Sequence, residues 1–152
     1  MGTSLSPPEE QVGFKSAREL RMLLDDVLSD LDQDPVAGLR LRAAAAPLRF
    51  EFPDLKLRVD IRAAADDRKH FLEWSFAKGS GPKPGLHLTM DSHVGNRFLQ
   101  GRENPAIALV RGRISAACGD TVAAVRFFPA AKPLFECYRE RVKNEHPRLL
   151  LD

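Results

Sequence analysis

The chain has 152 residues, enough for one domain with a sizeable core. Its composition is 43% apolar and its formal net charge is +2, so nothing in the balance calls for a nucleic-acid partner. No apolar run reaches the ~20 residues that a membrane span needs, and the opening MGTSLSPPEE lacks the apolar stretch of a secretory leader. The two cysteines, Cys118 and Cys137, have no metal-binding spacing, and the ending RLLLD is not a peroxisomal address. These features predict a cytosolic protein with reduced thiols and no cofactor.

Residues 1–13 read as a loose tail, short of apolar side chains and interrupted by Pro7-Pro8. Residues 14–152 read as a single domain. From Phe14 the period is helical: Phe14, Ala17, Leu20, Leu24, Val27, Leu28 and Leu31 line one face, which must dock on something. Asp34-Pro35 restarts a second helix to about Ala46, with Asp34 as cap and Pro35 at the first helical position. The charge is uneven here. Asp25, Asp26, Asp30, Asp32 and Asp34 make 18–34 acidic, and 40–69 is basic. Both stretches fit solvated faces. The basic one also fits transient contact with anionic lipid headgroups, at roughly 1 kcal/mol per cation.

The period then changes to two. In LRFEF, Leu48, Phe50 and Phe52 alternate with polar residues, and in LKLRVDI so do Leu55, Leu57, Val59 and Ile61. Pro53-Asp54 places a bend between them. HFLEWSFAKG is a further strand with Leu72, Trp74 and Phe76 on one face, GSGPKPG a connecting loop, and LHLTMD a strand with Leu86, Leu88 and Met90 inward. Such alternation predicts a largely antiparallel sheet with one covered face. Asp91 or Ser92 caps a helix to about Gln100, stopped by Gly101. Asn104 caps a short helix, Pro105–Arg111, that ends at Gly112, and Arg113–Cys118 returns as a strand. Thr121–Phe128 is helical, Pro129 and Pro133 break it, and a last helix runs from about Pro133 to Asn144. Helices at both ends of a run of strands predict an α+β fold.

Chemistry is thinly supported. His70, His87, His93 and His146 are scattered and give no metal spacing. The adjacent carboxylates Asp25-Asp26 and Asp66-Asp67 do not converge on a point. No nucleophile elbow or phosphate-binding loop occurs, which leaves Cys137 and His93 as faint catalytic candidates. Apolar side chains, by contrast, are in surplus. The sheet's inner face and the late helices could enclose a pocket. Its expected lining is Leu57, Trp74, Phe76, Leu88 and Met90 from the strands, and Phe98, Ile107, Val110, Phe128 and Leu134 from the helices. The proline-broken stretch Pro129–Pro133 suits a lid.

The stretch LHLTMDSHVGNRFLQGRENPAIALVRGRISAACGD resembles the signature half of the sterol carrier protein-2 family, the non-specific lipid-transfer type. The resemblance rests on Leu88-Thr89, the helix Ser92–Gln100, Gly101, Asn104-Pro105, Ile107–Val110, Gly112, Ile114–Cys118 and Gly119-Asp120, in that order. It is strongest over Leu86–Phe128. It implies helices over a five-stranded, mainly antiparallel sheet, a hydrophobic tunnel for a sterol, fatty acyl chain or similar lipid, and no catalytic residues. The aromatic C-terminal stretch after Phe128 departs from the family pattern and leaves the ligand class open.

The energetics of such a tunnel constrain the protein. A methylene contributes ~0.8 kcal/mol on burial, so a chain of about sixteen carbons gains roughly 12 kcal/mol before ordering costs. A dry cavity of ~400 Å3 would cost roughly 10 kcal/mol at ~24 cal/mol per Å3, comparable to a whole domain's stability. An empty form is therefore expected to be open and wet, partly collapsed, or loaded with a host lipid. The alternative expectation is an interaction module, in which the Phe14–Leu31 stripe and the Leu134–Leu151 tail dock a partner or a second copy in a homodimer.

Overall fold

The computed structural model describes residues 13–44, 47–64, 70–76, 85–117, 127, 129 and 131–151, with backbone alone at 40–44 and 117. Helix α1 spans Ala17–Gln33. The Ser16 side chain starts it by accepting from the Glu19 amide at 3.2 Å, satisfying one donor that the first turn leaves free. Its buried stripe is Leu20, Leu23, Leu24, Val27, Leu28 and Leu31, which the period-3.6 pattern picks out except for Leu23. Helix α2, Pro35–Ala44, begins as its sequence dictates: Asp34 Oδ1 accepts from the amides of Val36 at 3.0 Å and Ala37 at 3.1 Å.

Strands β1 (Leu48–Phe52) and β2 (Leu57–Ala63) form a hairpin through a 3-10 turn at Pro53–Leu55. The bend expected at Pro53-Asp54 is this turn. Strand β3 (Leu72–Ser75) adds to the far side of β2. Strand β4 (Leu86–Met90) crosses over and pairs with β1, and β5 closes the other edge at Ile114–Ala117. The order is β3-β2-β1-β4-β5. Every neighbouring pair is antiparallel except β1 with β4, which is parallel. The sheet is thus mixed and mostly antiparallel, as alternation led us to expect. The parallel pair is invisible to alternation, because the side-chain period is two in either direction.

Helix α3, Ser92–Leu99, follows β4. Its capping differs from the sequence expectation. Asp91 stands at the cap position without a side-chain cap bond. Asp54 from the 3-10 turn acts instead, accepting from the Ser92 amide at 2.9 Å and its hydroxyl at 2.6 Å. Helix α4, Pro105–Val110, is capped by Asn104, which accepts from the Ile107 amide at 3.1 Å. It ends at Gly112, whose φ is +75°. Helix α5, Lys132–Glu145, is followed by a 3-10 turn at Pro147–Leu149. The helix expected over Thr121–Phe128 lies outside the described residues except for Phe127, and the loop GSGPKPG does so except for Gly85.

Helix α5 packs along α1, and α2 and α3 flank the pair. An Arg141–Asp30 fork with N–O distances of 2.6 and 2.8 Å pins α5 to α1. Asp32 ties α1 to the sheet: it is buried, and it accepts from the amides of Phe71 at 2.6 Å and Leu72 at 3.0 Å. His70 Nδ1 lies 2.6 Å from its other oxygen. The C-terminal turn is held by a buried polar knot. Asn96 Nδ2 and Gln100 Nε2 donate to the Leu149 carbonyl at 3.0 and 2.8 Å, and the Tyr138 hydroxyl donates to Asn96 Oδ1 at 2.8 Å. These groups have partners, so their burial is tolerated.

Gly112 has space for a Cβ but a left-handed backbone, so the obstacle there is conformational and not steric crowding by neighbours. A β-branched residue is the least suited to that region. Gly112→Val is expected to lose roughly 2 kcal/mol in a urea titration. A loss no larger than for an exposed substitution would contradict it.

Candidate functional site

The sheet has two unlike faces. Toward the helices, Leu48, Phe50 and Phe52 from β1, Leu57, Val59 and Ile61 from β2, and Leu86, Leu88 and Met90 from β4 are all buried. The register stacks them in rows, with Val59 opposite Phe50 and Phe50 opposite Leu88. On the other face the same strands present Arg49, Glu51, Arg58, Asp60 and His87. There Arg49 Nε donates to Asp60 at 2.6 Å and His87 Nε2 lies 2.8 Å from Glu51. These polar residues are partly buried and paired with one another, whereas the apolar residues of the first face are covered by helices.

The expected lining residues separate into three groups. Leu57, Leu88, Met90, Phe98 and Leu134 are buried in one continuous core between the sheet and α1, α3 and α5. Trp74 and Phe76 are half-buried at the β3 edge, packed against that core. The Trp74 indole donates to Asp25 on α1 at 2.8 Å, and the Arg21 guanidinium sits 5.1 Å from the centre of the Phe76 ring. Ile107 and Val110 are not brought to the interior: they are 46% and 87% exposed on α4, while Ala108 between them is buried. Phe128 lies outside the described residues. Sequence reasoning missed Phe71, which is partly buried on the same core, whereas Phe14, partly buried there too, belongs to the apolar stripe that it picked out. Phe71 stands one residue before a strand, where alternation gives no signal.

Aromatic rings meet one another within the described interior. Phe50 lies 6.5 Å from Phe52, 6.3 Å from Phe98 and 6.1 Å from Phe127, and Phe98 lies 5.2 Å from Phe135, measured between ring centres. The grooves on the described surface are open and lie elsewhere. One of about 350 Å3 lies at the β4–α3 junction between Thr89, His93 and Arg113. Another of about 390 Å3 runs along the first turns of α1 beside Met22 and His146. A third of about 530 Å3 separates α2 from α5, between Asp34, Val36, Glu136 and Cys137. None of these three is the tunnel that the family resemblance implies.

The two faint catalytic candidates find no partner suited to catalysis among the described residues. The Cys137 thiol donates to the Val27 carbonyl at 3.6 Å and contacts Asp30 at 3.7 Å. Burial, reinforced by the Asp30 charge, pushes it up to about 12, so it carries no thiolate near neutral pH. His93 opens onto the first groove with Asp91, Thr89, Arg113 and Ser115, and no cysteine is among that groove's lining residues. Among the described residues no group of three or more His, Cys, Asp or Glu could hold a metal ion. No described helix is long and apolar enough to cross a membrane.

No family model matches the sequence. No curated protein sequence matches it either. Solved structures do. A solution structure of a Thermus thermophilus protein, described there as a conserved hypothetical protein and candidate sterol carrier protein, superposes with a TM-score of 0.58 at 17% identity, over 91% of this chain and 94% of that one. The sterol carrier protein domain 2 of Helicoverpa armigera gives 0.53 at 15% identity, over 88% and 96%. A sec-alkylsulfatase from a Pseudomonas species gives 0.52 at 20% identity; 72% of this chain is covered, and the match spans only 16% of the sulfatase. The chain therefore has the sterol carrier protein 2 fold, α+β with a five-stranded sheet, as the resemblance implies. The likeness to the sulfatase is confined to a part with this same fold.

Proposed function

Because the chain carries the sterol carrier protein 2 fold, we propose that it binds one long apolar molecule, a sterol, a fatty acyl chain or a lipid like them, and carries or presents it without chemistry. The observation that carries the reading is the likeness to the Thermus protein over nearly the full length of both chains, coupled to an apolar sheet face under helices. The inert Cys137 thiol weighs against an enzyme acting on the bound lipid.

The ligand lies along the covered face at the β3 edge, beside Phe71, Trp74 and Phe76, where the aromatic side chains are only half-buried. A centre already filled by Phe50 and its neighbours leaves that edge as the part able to yield with least loss of packing.

Trp74 is the sole tryptophan, so its emission reports on this edge. Titration with cis-parinaric acid is expected to quench Trp74 by energy transfer, saturating at one equivalent, with micromolar or tighter affinity. Unquenched emission, or quenching that grows without saturation, would remove the reading. A docking module with no pocket would give the second result.

A further inference from the structure

We propose that the outward face of α4 is a docking surface for an anionic lipid bilayer. The helix spans Pro105–Val110, and Ala106, Ile107 and Val110 share its exposed side at the three- and four-residue spacing of one helical face. Val110 is 87% exposed and Ile107 46%, whereas Ala108 on the opposite side is fully buried. The helix is bounded by the Asn104 cap at its start and by the left-handed Gly112 after its end, and both side chains face outward from it.

The charge around the corner has one sign. Residues 97–113 contain four arginines, Arg97, Arg102, Arg111 and Arg113, and a single acid, Glu103. Glu103 does not face outward. Its side chain is 2% exposed and lies between Arg97 at 3.1 Å and Arg113 at 2.5 Å. One buried negative charge thus holds two arginines in place, while Arg102 and Arg111 stand exposed at either end of the helix. Asp91 lines the neighbouring groove together with Gly112 and Arg113.

Charge complementarity selects the occupant. The other exposed large apolar residues are set differently. Met22 on α1 shares its groove with Arg18, Glu19, Asp26 and Glu145, which are of mixed sign. Val36 on α2 lines a groove with Asp30, Asp34, Glu136 and Glu140, which would repel an anionic surface. The α4 corner instead joins two large apolar side chains on one helical face to exposed arginines at either end. Shallow insertion of Ile107 and Val110 at headgroup depth, with arginines at the phosphates, is the geometry of an interfacial anchor. The corner lies apart from the β3 edge, so docking and ligand uptake are independent properties.

The test is co-sedimentation of the full chain with phosphatidylcholine vesicles, pure or containing about one third phosphatidylserine, at low and high salt. The wild type is expected to bind the mixed vesicles, to bind the pure ones weakly, and to be released by salt. Val110→Asp is expected to weaken binding at least ten-fold, and Arg102→Gln and Arg111→Gln about five-fold each. These positions are exposed, so the variants should melt with the wild type. Val36→Asp, also at an exposed position, on α2, should bind as the wild type does. Equal binding of both vesicle types, wild-type binding by Val110→Asp, or an equal loss in Val36→Asp would overturn the proposal. Dimerisation lost in Val110→Asp, with no vesicle binding by the wild type, would overturn it too and assign the face to a second copy. Failure of the parinaric acid titration alone leaves this result standing, and failure here leaves the titration standing.

Discussion

Phe50→Ala is expected to lose about 3–5 kcal/mol of stability, the range for an aromatic truncated in a packed core. Phe50 is 1% exposed, lies at the centre of the sheet, and contacts the rings of Phe52, Phe98 and Phe127. Few of those neighbours can move in. Phe52 is held in the same strand, and Phe98 is wedged against Phe135. For a domain of this size the loss corresponds to a fall of roughly 10 °C in melting temperature. Thermal unfolding followed by circular dichroism checks it. The experiment also decides how full the interior is. A loss below about 1 kcal/mol would mean that the ring borders space already open, because little packing would then be forfeited. A full loss means that the ring is tightly packed on the sides it presents to its neighbours.

Glu103→Gln is expected to cost roughly 3 kcal/mol, at the low end for a broken buried pair because the two guanidiniums are partly exposed. Glu103 joins Arg97, near the end of α3, to Arg113, just before β5. Burial would raise its carboxyl. Hydrogen bonds and charge from Arg113 and then Arg97 overcome that and hold it below its ordinary value of 4.5. The sign follows. A carboxyl depressed on folding contributes stability that is complete above the ordinary value and is lost as pH falls through the lower folded one. The gap between wild type and Glu103→Gln should therefore be widest near neutral pH and close in acid. Urea titrations at pH 7 and near pH 3 test this. A gap that widens in acid would show that the carboxyl is not ionised in the folded protein. Asp30, Asp32 and Glu19 are held low as well, Asp30 chiefly by the Arg141 hydrogen bond, so the whole domain should weaken in acid in the same direction.

A carrier needs room for a guest, and the carrier reading proposed above seeks it at the β3 edge, where Phe71, Trp74 and Phe76 are only half-buried. Trp74 and Phe76 are also where α1 touches the strand through side chains of opposite charge, Asp25 on the indole and Arg21 over the ring. A shift of α1 would release both contacts together, which makes energy transfer from Trp74 a direct readout of ligand entry.

What the sequence determined by itself is local. The stripe of α1, the caps at Asp34 and Asn104, the alternation of β1, β2 and β4, and the glycine stop at Gly112 are each set within a few residues, by helical or strand period and by short-range hydrogen bonds. The motif order around Asn104-Pro105 carried the fold resemblance for the same reason. Only the tertiary structure decided the rest. It paired β4 parallel to β1, supplied the cap of α3 from Asp54, buried Glu103 between arginines from two elements, and tied Asn96, Tyr138 and Leu149 together. It also turned Ile107 and Val110 outward, although their spacing suits a core as well as a surface. Periodicity says that one face of a helix is apolar, but what that face meets depends on contacts distant in the chain, which no local pattern encodes.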